Sequence, residues 1–316
     1  SMAYEGIIYA VAHGCQIVNC SWGGYGSFGD YGQSIVNYAA NNMNAVVVAA
    51  AGNSDNSYLI YPASYDNVMS VAGTDQFDHK YILEPGSGSS YGIAVDIAAP
   101  GKDIYSTWVQ SGYTWGTGTS FAAPIVAGAA GLVRNHFPNY SSQQVISQLK
   151  STADNIDSIP ENLPYAGLLG AGRLNIYRAL TETFPQINKT SLFITDNNNN
   201  TFGGGDTLRI AGKFKNYLDD SSPSLKVTLS TSCPYVTFID SFSVLGIILN
   251  MQTDSNTLDP FEVKILPAIP VSTQIDFKLT YEDVLKNYKS FEYFSLMVNV
   301  DYLNIDTNKV GTTFTS

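Results

Sequence analysis

A unit that occurs twice near the start of the chain limits the folds open to it. In each copy a helical pattern leads into a short apolar run, which ends in turn residues that include glycine. The first copy joins a helical segment at 3–12 to an apolar run at 16–20, and the second joins 34–42 to 45–51. Strands that alternate with helices predict an α/β domain, in which a parallel sheet carries helices on both faces.

The loops that follow these two apolar runs, at Gly23 and Asn53, lie at the carboxyl edge of the predicted sheet. Ligands of a parallel α/β sheet bind beyond that edge. Further short apolar strands are predicted at 68–72 and 95–98. We therefore expect a first domain over residues 1–187 with its functional loops on this side of the sheet.

From residue 188 onward the pattern changes to short alternating runs separated by turn residues. The clearest of these runs are 207–213, 225–230, 261–266, 274–281 and 293–300. They predict an all-β antiparallel sandwich over residues 188–300. Residues 301–316 begin to alternate again, and we expect them to start a further segment or to form a tail.

Charge and hydrophobicity exclude two classes of partner. The 316 residues carry a formal net charge of −11 and a pI near 4.5, without a cluster of Lys or Arg. Such a chain repels a phosphate backbone, so no nucleic-acid partner is expected. The longest apolar stretches, 45–51 and 125–133, fall short of the roughly 20 residues that cross a bilayer, so no membrane span is expected. Three cysteines, an odd number without metal-type spacing, leave the redox compartment open.

A serine at the start of an apolar helix is the first candidate for chemistry. Residues 118–124 read Gly-Thr-Ser-Phe-Ala-Ala-Pro, so Ser120 follows a glycine turn and opens a helix predicted at 119–136. That helix has almost no charge, and we expect it to be buried on all sides. A backbone N–H at a helix N-terminus stabilises negative charge, so Ser120 can be both nucleophile and half of an oxyanion hole. The alternative is a buried Ala/Gly helix that happens to begin with serine.

Five stretches, in the same order, resemble the subtilisin family of serine proteases. Residues 118–133 resemble the segment that carries the catalytic serine of that family. Residues 21–24 (Ser-Trp-Gly-Gly) resemble its substrate-binding strand edge, and 49–53 (Ala-Ala-Ala-Gly-Asn) resemble its oxyanion-asparagine loop. Residues 61–72 and 91–101 resemble the framework between asparagine and serine. The resemblance covers about the first 180 residues and implies a subtilisin-like fold and serine protease activity.

The resemblance also implies roles for individual residues. Ser120 would be the nucleophile, and Asn53 would donate its side-chain amide to the developing oxyanion, opposite the backbone N–H of Ser120. For Asn53 an ordinary Gly-Asn turn is the alternative. The residues implied to bind substrate are Ser21, Trp22, Gly23, Ala50, Ala51, Gly52 and Thr119. Among them, Ser21 and Gly23 would hold the substrate backbone as an added strand, and 50–52 would form one wall of the specificity pocket.

The other two members of a catalytic triad are not apparent. Subtilisins supply them in the order Asp, His, Ser, so both are expected upstream of residue 21, where neither family motif occurs. His13 ends a helical pattern, His79 lies in a polar loop and His136 ends the long helix, so none is predicted to be the base. We therefore expect the chain to begin in mid-domain, with the N-terminal part of the sheet missing, and to be inactive by itself.

No cofactor and no metal ligand are assigned. Asp75, Asp78 and Glu84 share a loop, but a solvated acidic loop is the commoner explanation of such a group. A structural calcium site remains an open possibility, but the sequence assigns no ligands to it.

Two functions from different classes agree with these patterns. The first is a secreted or cell-surface bacterial endopeptidase, completed by the upstream segment of the same protein, that cleaves protein or peptide substrates. The second is a degenerate protease in which residues 189–316 form a binding or cell-surface interaction module. Retention of both Ser120 and Asn53 favours the enzyme, whereas a row of exposed aromatic side chains on the sandwich would favour the module. An unfinished sheet edge can also pair with a second copy to form a homodimer.

Overall fold

The computed structural model describes residues 2–196 and 201–300, which form two compact units. Unit 1 runs to Gln186 and also includes 216–220 and 249–252, and unit 2 holds the other described residues. The helices and strands of unit 1 are α1 (Met2–Ala12), β1 (Ile17–Cys20), α2 (Gly29–Asn37), β2 (Val46–Ala50), β3 (Val68–Thr74), β4 (Ile82–Glu84), β5 (Ser87–Gly88), β6 (Ile97–Pro100), β7 (Ile104–Trp108), β8 (Gly112–Gly116), α3 (Thr119–His136), α4 (Ser142–Ser151) and α5 (Ile176–Thr181). A π-helical turn, Tyr38–Asn42, extends α2, and a 3-10 helix covers Pro160–Tyr165.

The main sheet of unit 1 is parallel, with the strand order β1-β2-β3-β6. Successive side chains of a strand point to opposite faces of its sheet. The even-numbered residues of β2 accordingly pack against α3, α4 and α5, and the odd-numbered residues pack against α1 and α2. Burial on both faces explains why β2 is a continuous run of Val and Ala. The predicted parallel sheet with helices on both faces is confirmed.

Helix α3 has the bounds that the sequence predicts, but it is not buried on all sides. Ala122, Ala129 and Val133 are buried against the sheet, whereas Leu132 is 48% exposed and Gly128 is also exposed. The reason is that the described elements cover the sheet-facing side of α3 and leave a stripe of its opposite side open. The low charge of this segment therefore led to a prediction of more burial than the helix has.

Two antiparallel hairpins of unit 1 were not predicted. Strand β4 pairs with β5, and β7 pairs with β8 over five residues on each strand, from Ile104 opposite Gly116 to Trp108 opposite Gly112. The second hairpin ends at Gly116, close in sequence to Ser120. This hairpin exposes aromatic residues, among them Tyr105 and Trp115. Its strands therefore lack the alternation of buried apolar and exposed polar residues by which a half-buried strand is recognised.

Unit 2 contains two antiparallel sheets. Its strands are β9 (Ile187–Thr195), β10 (Thr207–Asn216), β11 (Lys226–Thr231), β12 (Val236–Asp240), β13 (Phe242–Val244), β14 (Thr253–Ser255), β15 (Phe261–Ile265), β16 (Thr273–Asp283) and β17 (Tyr288–Val298). One sheet has the order β12-β15-β10-β14, with β9 paired to β10, and the other has the order β13-β11-β16-β17. The five predicted strands are all present, while the short strands β12 to β14 and the long strand β9 were missed. The segment predicted at 301–316 lies outside the described residues.

Strand β1 is the edge strand of the parallel sheet, and its outer side pairs with no strand among residues 2–196 and 201–300. In the same part of the chain, no helix is long and apolar enough to cross a membrane.

Candidate active site

Ser120 lies in the first turn of α3, two residues after the extended residue Gly118. Its side chain is half-buried, and its backbone N–H belongs to the helix start, where the helix itself provides no acceptor. A Cβ added to Gly118 would lie 2.9 Å from Oγ of Ser120, 3.5 Å from Nδ2 of Asn53 and 3.6 Å from its Oδ1. The hydroxyl and the amide therefore border one small space, which is open because residue 118 has no side chain.

The carboxamide of Asn53 is held by its oxygen. Oδ1 accepts hydrogen bonds from the backbone N–H of Thr119 at 2.8 Å, from Oγ1 of Thr119 at 3.0 Å and from the hydroxyl of Tyr81 at 2.6 Å. A backbone N–H can only donate, so the atom that faces it must be the oxygen. The oxygen is thereby occupied by these donors, and Nδ2 is the group of Asn53 that can donate a hydrogen bond.

The loop around Asn53 is fixed by backbone hydrogen bonds to the segment 88–90. The N–H of Gly88 donates to the carbonyl of Asn53 at 3.2 Å, and the N–H of Asp55 donates to the carbonyl of Gly88 at 3.1 Å. The N–H of Ser90 donates to the carbonyl of Gly52 at 2.9 Å. Backbone pairing on both sides of Asn53 gives its side chain a rigid base.

A buried cation also holds this loop. The ammonium group of Lys80, fully buried, forms an ion pair with the carboxylate of Asp55. It lies 4.3 Å from the ring centre of Tyr165 and 5.2 Å from that of Tyr91. The next residue, Tyr81, is the one that donates to Asn53, so two consecutive side chains reach the loop.

The end of β1 meets the start of α3 through Ser21. Its hydroxyl donates to the backbone carbonyl of Ser120 at 2.8 Å, and it accepts a hydrogen bond from Nδ2 of Asn19 at 2.9 Å. The ring of Trp22 packs edge-to-face against Tyr4 of α1, with centroids 5.3 Å apart. Ser21 therefore lies beside the candidate nucleophile, whereas the Trp22 ring packs toward the core.

The two predicted substrate-binding loops enclose a space that Ile60 fills. Ala50 and Ala51 are buried, and the N–H of Gly52 donates to Oγ1 of Thr119 at 3.1 Å. A Cβ added to Gly23 would lie 2.6 Å from Cγ2 of Ile60, and one added to Gly52 would lie 3.1 Å from its Cγ1. The two branches of Ile60 thus touch the two loops, and its side chain is only 7% exposed.

A cavity of about 720 Å³ lies beyond this point, between the loops that contain Tyr25 and Tyr61. Its lining residues are Tyr25, Ser27, Tyr58, Leu59 and Tyr61. The hydroxyl of Tyr25 hydrogen-bonds to Oγ of Ser54 at 2.8 Å, and this bond lowers the pKa of Tyr25. The cavity is thereby joined to the residue that follows Asn53.

None of the three histidines hydrogen-bonds to Ser120 within residues 2–196 and 201–300. Nδ1 of His13 lies 2.8 Å from the carbonyl of Tyr9 at the end of α1, and the ring of His136 packs against Phe137. His79 lies between the carboxylates of Asp75, at 3.3 Å, and Glu161, at 3.4 Å. These contacts account for the position of each imidazole ring without a catalytic role beside Ser120.

Two of the three acidic loop residues, Asp75 and Asp78, have other contacts. Oδ1 of Asp75 accepts from the N–H groups of Phe77 and His79, at 2.9 and 3.0 Å, and Asp78 forms an ion pair with Arg173 at 2.9 Å. Glu84 ends β4. Over the described ranges no group of three or more His, Cys, Asp or Glu side chains is arranged to hold a metal ion.

Sequence patterns did not identify Lys80, Tyr81 or Ile60. Tyr81 lies 28 residues from Asn53, and Lys80 lies 25 residues from Asp55, so no local motif joins them. The only sequence signal is indirect: Gly73 and Gly101 leave room for the Tyr81 ring, with Cβ positions 2.3 and 3.3 Å from its Cε1 atom.

Comparisons of the sequence with a family model and with known proteins point to the same family. The model of the subtilase family of peptidases matches residues 1–203. Thermitase of Thermoactinomyces vulgaris is 43% identical over 178 residues, which are 56% of this chain and 58% of thermitase. Subtilisin DY of Bacillus licheniformis is 38% identical over 156 residues, which are 49% of this chain and 56% of that protein.

The solved structures include a protease from Pseudoalteromonas arctica, which matches with a TM-score of 0.50 at 27% identity. The match covers 56% of this chain and 57% of that protein. In each of these comparisons the chain spans a little over half the length of the relative.

Proposed function

The chain belongs to the subtilase family of serine proteases, and from that premise we propose that the protein is a serine endopeptidase that forms an acyl-enzyme on Ser120. The observation that carries the proposal is the space shared by Oγ of Ser120 and Nδ2 of Asn53. A nucleophile and two fixed N–H donors around one position are what the acylation of serine requires.

In the proposed reaction, Oγ of Ser120 attacks the carbonyl carbon of a peptide bond while its proton passes to a histidine. The carbonyl oxygen becomes an oxyanion and accepts hydrogen bonds from Nδ2 of Asn53 and from the N–H of Ser120. The C–N bond then breaks, the leaving amine takes the proton from the histidine, and an ester remains on Ser120 until water hydrolyses it.

The histidine of this reaction is not one of the three in the chain, each of which has other contacts. We propose that a segment upstream in the parent protein supplies both the histidine and the aspartate. Without a base the serine hydroxyl is a poor nucleophile, so this chain by itself should be almost inactive. Secretion to the cell exterior and a sandwich arrangement of the two sheets of unit 2 belong to the same proposal.

A binding module remains the second candidate because of exposed apolar side chains in unit 2. Strands β12 and β13 expose apolar side chains close together in sequence: Phe238, Ile239, Phe242 and Val244 are between 37% and 60% exposed. Exposed apolar residues that form a patch are typical of interaction surfaces. If the catalytic unit were degenerate, these side chains would be the candidates for a binding function.

Labelling with a fluorophosphonate tests the enzyme against the module. The chain is treated alone and after refolding with the upstream segment, and the modified residue is found by peptide mass spectrometry, with Ser120→Ala as the control. Labelling of Ser120 only in the mixture supports the endopeptidase. Labelling in neither sample, with association of the two pieces confirmed, supports the module. Equal labelling in both samples would overturn the proposal that the chain is inactive by itself.

A further inference from the structure

Tyr81 is a buried residue whose position depends on close packing. Its side chain is 2% exposed, and its ring lies where a Cβ on Gly73 would come within 2.3 Å of Cε1. Burial raises the pKa of its hydroxyl above the ordinary value, so this group keeps its proton at neutral pH. Tyr81 therefore presents a fixed hydroxyl donor to Asn53.

The hydroxyl completes the donor set of the Asn53 oxygen. Oδ1 already receives the N–H and the hydroxyl of Thr119, and the Tyr81 bond at 2.6 Å is the shortest of the three. A carbonyl oxygen has two lone pairs, so with three donors Oδ1 has no acceptor capacity left. Exchange of Oδ1 with Nδ2 would place an amide N–H opposite the N–H of Thr119, and both hydroxyls would have to change from donor to acceptor.

We propose that Tyr81 is a positioning residue for the oxyanion hole, which acts by holding the Asn53 carboxamide with Nδ2 directed at the space beside Ser120. The inference rests on the endopeptidase proposed above. Hydrogen bonds in a chain polarise one another, so donation to Oδ1 also makes the N–H of Nδ2 a stronger donor. Tyr81 touches Asn53 and, within the described residues, makes no hydrogen bond to Ser120.

The first test is a nuclear magnetic resonance measurement on this chain as it stands, labelled with ¹⁵N and deuterated. The side-chain amide signals of Asn53 are assigned by their loss in Asn53→Asp. In Tyr81→Phe, which keeps the ring, we expect them to move toward the values of a solvated asparagine, with faster exchange of the two amide protons. Unchanged Asn53 signals in a folded Tyr81→Phe variant would overturn the proposal and leave Tyr81 as a core residue.

Tyr281→Phe is the matched control. Tyr281 is also buried, and its hydroxyl donates to Glu292 at the same distance of 2.6 Å, but both residues belong to unit 2. This variant also loses one hydrogen bond of a buried tyrosine hydroxyl and should leave the Asn53 signals in place. The measurement needs no catalysis, so its outcome is separate from the success or failure of the proposed enzyme.

The second test is a double-mutant cycle on the rate of fluorophosphonate labelling in the mixture with the upstream segment. We expect Tyr81→Phe to slow labelling about tenfold, less than the 10²–10³ known for loss of an oxyanion donor. In an Asn53→Ala background the same change should have no further effect, because Tyr81 acts through Asn53. An equal slowing in both backgrounds would show a role independent of Asn53 and would overturn the proposal.

Discussion

The ammonium group of Lys80 pairs with the carboxylate of Asp55, two residues after Asn53, and the lysine side chain is fully buried. Removing one partner of a buried pair leaves the other charge without compensation, which costs about 3–5 kcal/mol. Lys80→Met should therefore lower the free energy of unfolding of unit 1 by about this amount. All three tryptophans lie in unit 1, so their fluorescence in urea reports its unfolding.

The control for Lys80→Met is Glu182→Gln, which breaks a more exposed ion pair between Arg178 and Glu182 in the same unit. Such surface pairs contribute about 0–1 kcal/mol. The double variant Lys80→Met with Asp55→Asn should recover part of the loss, since no charge is then left unpaired. Equal stability of Lys80→Met and Glu182→Gln would contradict the importance of the buried pair.

In the mixture with the upstream segment, Gly118→Ala should abolish labelling of Ser120 without unfolding the chain. The added methyl group would lie 2.9 Å from Oγ, so the hydroxyl must turn away from the space that it shares with Asn53. Gly128→Ala is the matched control, because a Cβ there has no neighbour within 4 Å and alanine favours the helix by about 1 kcal/mol. Labelling of Gly118→Ala at the normal rate would mean that the shared space is not where the reaction occurs.

Local patterns predicted the parallel sheet of unit 1 and its covering helices, because each depends on a short stretch with a clear period. The resemblance to subtilisins implied that Ser120 and Asn53 lie together. The first two strands of the sheet were recognised as apolar runs that end in turn residues with glycine. Helix α3 was recognised as an apolar segment that follows Gly118. The contacts of Tyr81 and Ile60 could not be predicted in this way, since they depend on which distant side chain fills a space beside a glycine. The orientation of Trp22 toward Tyr4 is also a tertiary effect that the Ser-Trp-Gly-Gly motif does not contain.

Alkaline pH should destabilise unit 1 through Cys20, at the end of β1. Burial raises the pKa of its thiol from 9.0 to about 12. The unfolded chain therefore loses this proton from about pH 9, while the folded chain keeps it, so the stability present below pH 9 falls as pH rises. By pH 10 the loss is about 1 kcal/mol.

Cys20→Ala removes this titration and serves as the reference, because tyrosines ionise in the same range in both proteins. The difference between the two unfolding curves should shrink as pH rises from 8 to 10. In the folded chain the exposed Cys15 should react with iodoacetamide at pH 8 while Cys20 does not. Rapid alkylation of Cys20 would show that the end of β1 opens.

The outer side of β1 should pair with a second copy of the chain when nothing else covers it. Gln16 accepts the N–H of Val46 on the β2 side, so the alternation of a strand turns the N–H of Asn19 outward. We expect sedimentation equilibrium to show a dimer at high concentration and a monomer for Asn19→Pro, which lacks that N–H. A strictly monomeric wild-type chain would rule out this association.

Ile60 should restrict the substrate side chain next to the cleaved bond to small residues, because its two γ-carbons fill the space between Gly23 and Gly52. Ile60→Ala would open that space at a cost of about 2–5 kcal/mol in stability. In the mixture with the upstream segment, cleavage of a peptide library should then shift toward large apolar residues by about 10–100-fold. Leu132→Ala, on the exposed side of α3, should leave the preference as it was. If Ile60→Ala also left it unchanged, the side chain of the substrate would have to bind elsewhere, and the tyrosine-lined cavity beyond Ile60 would be the next place to test.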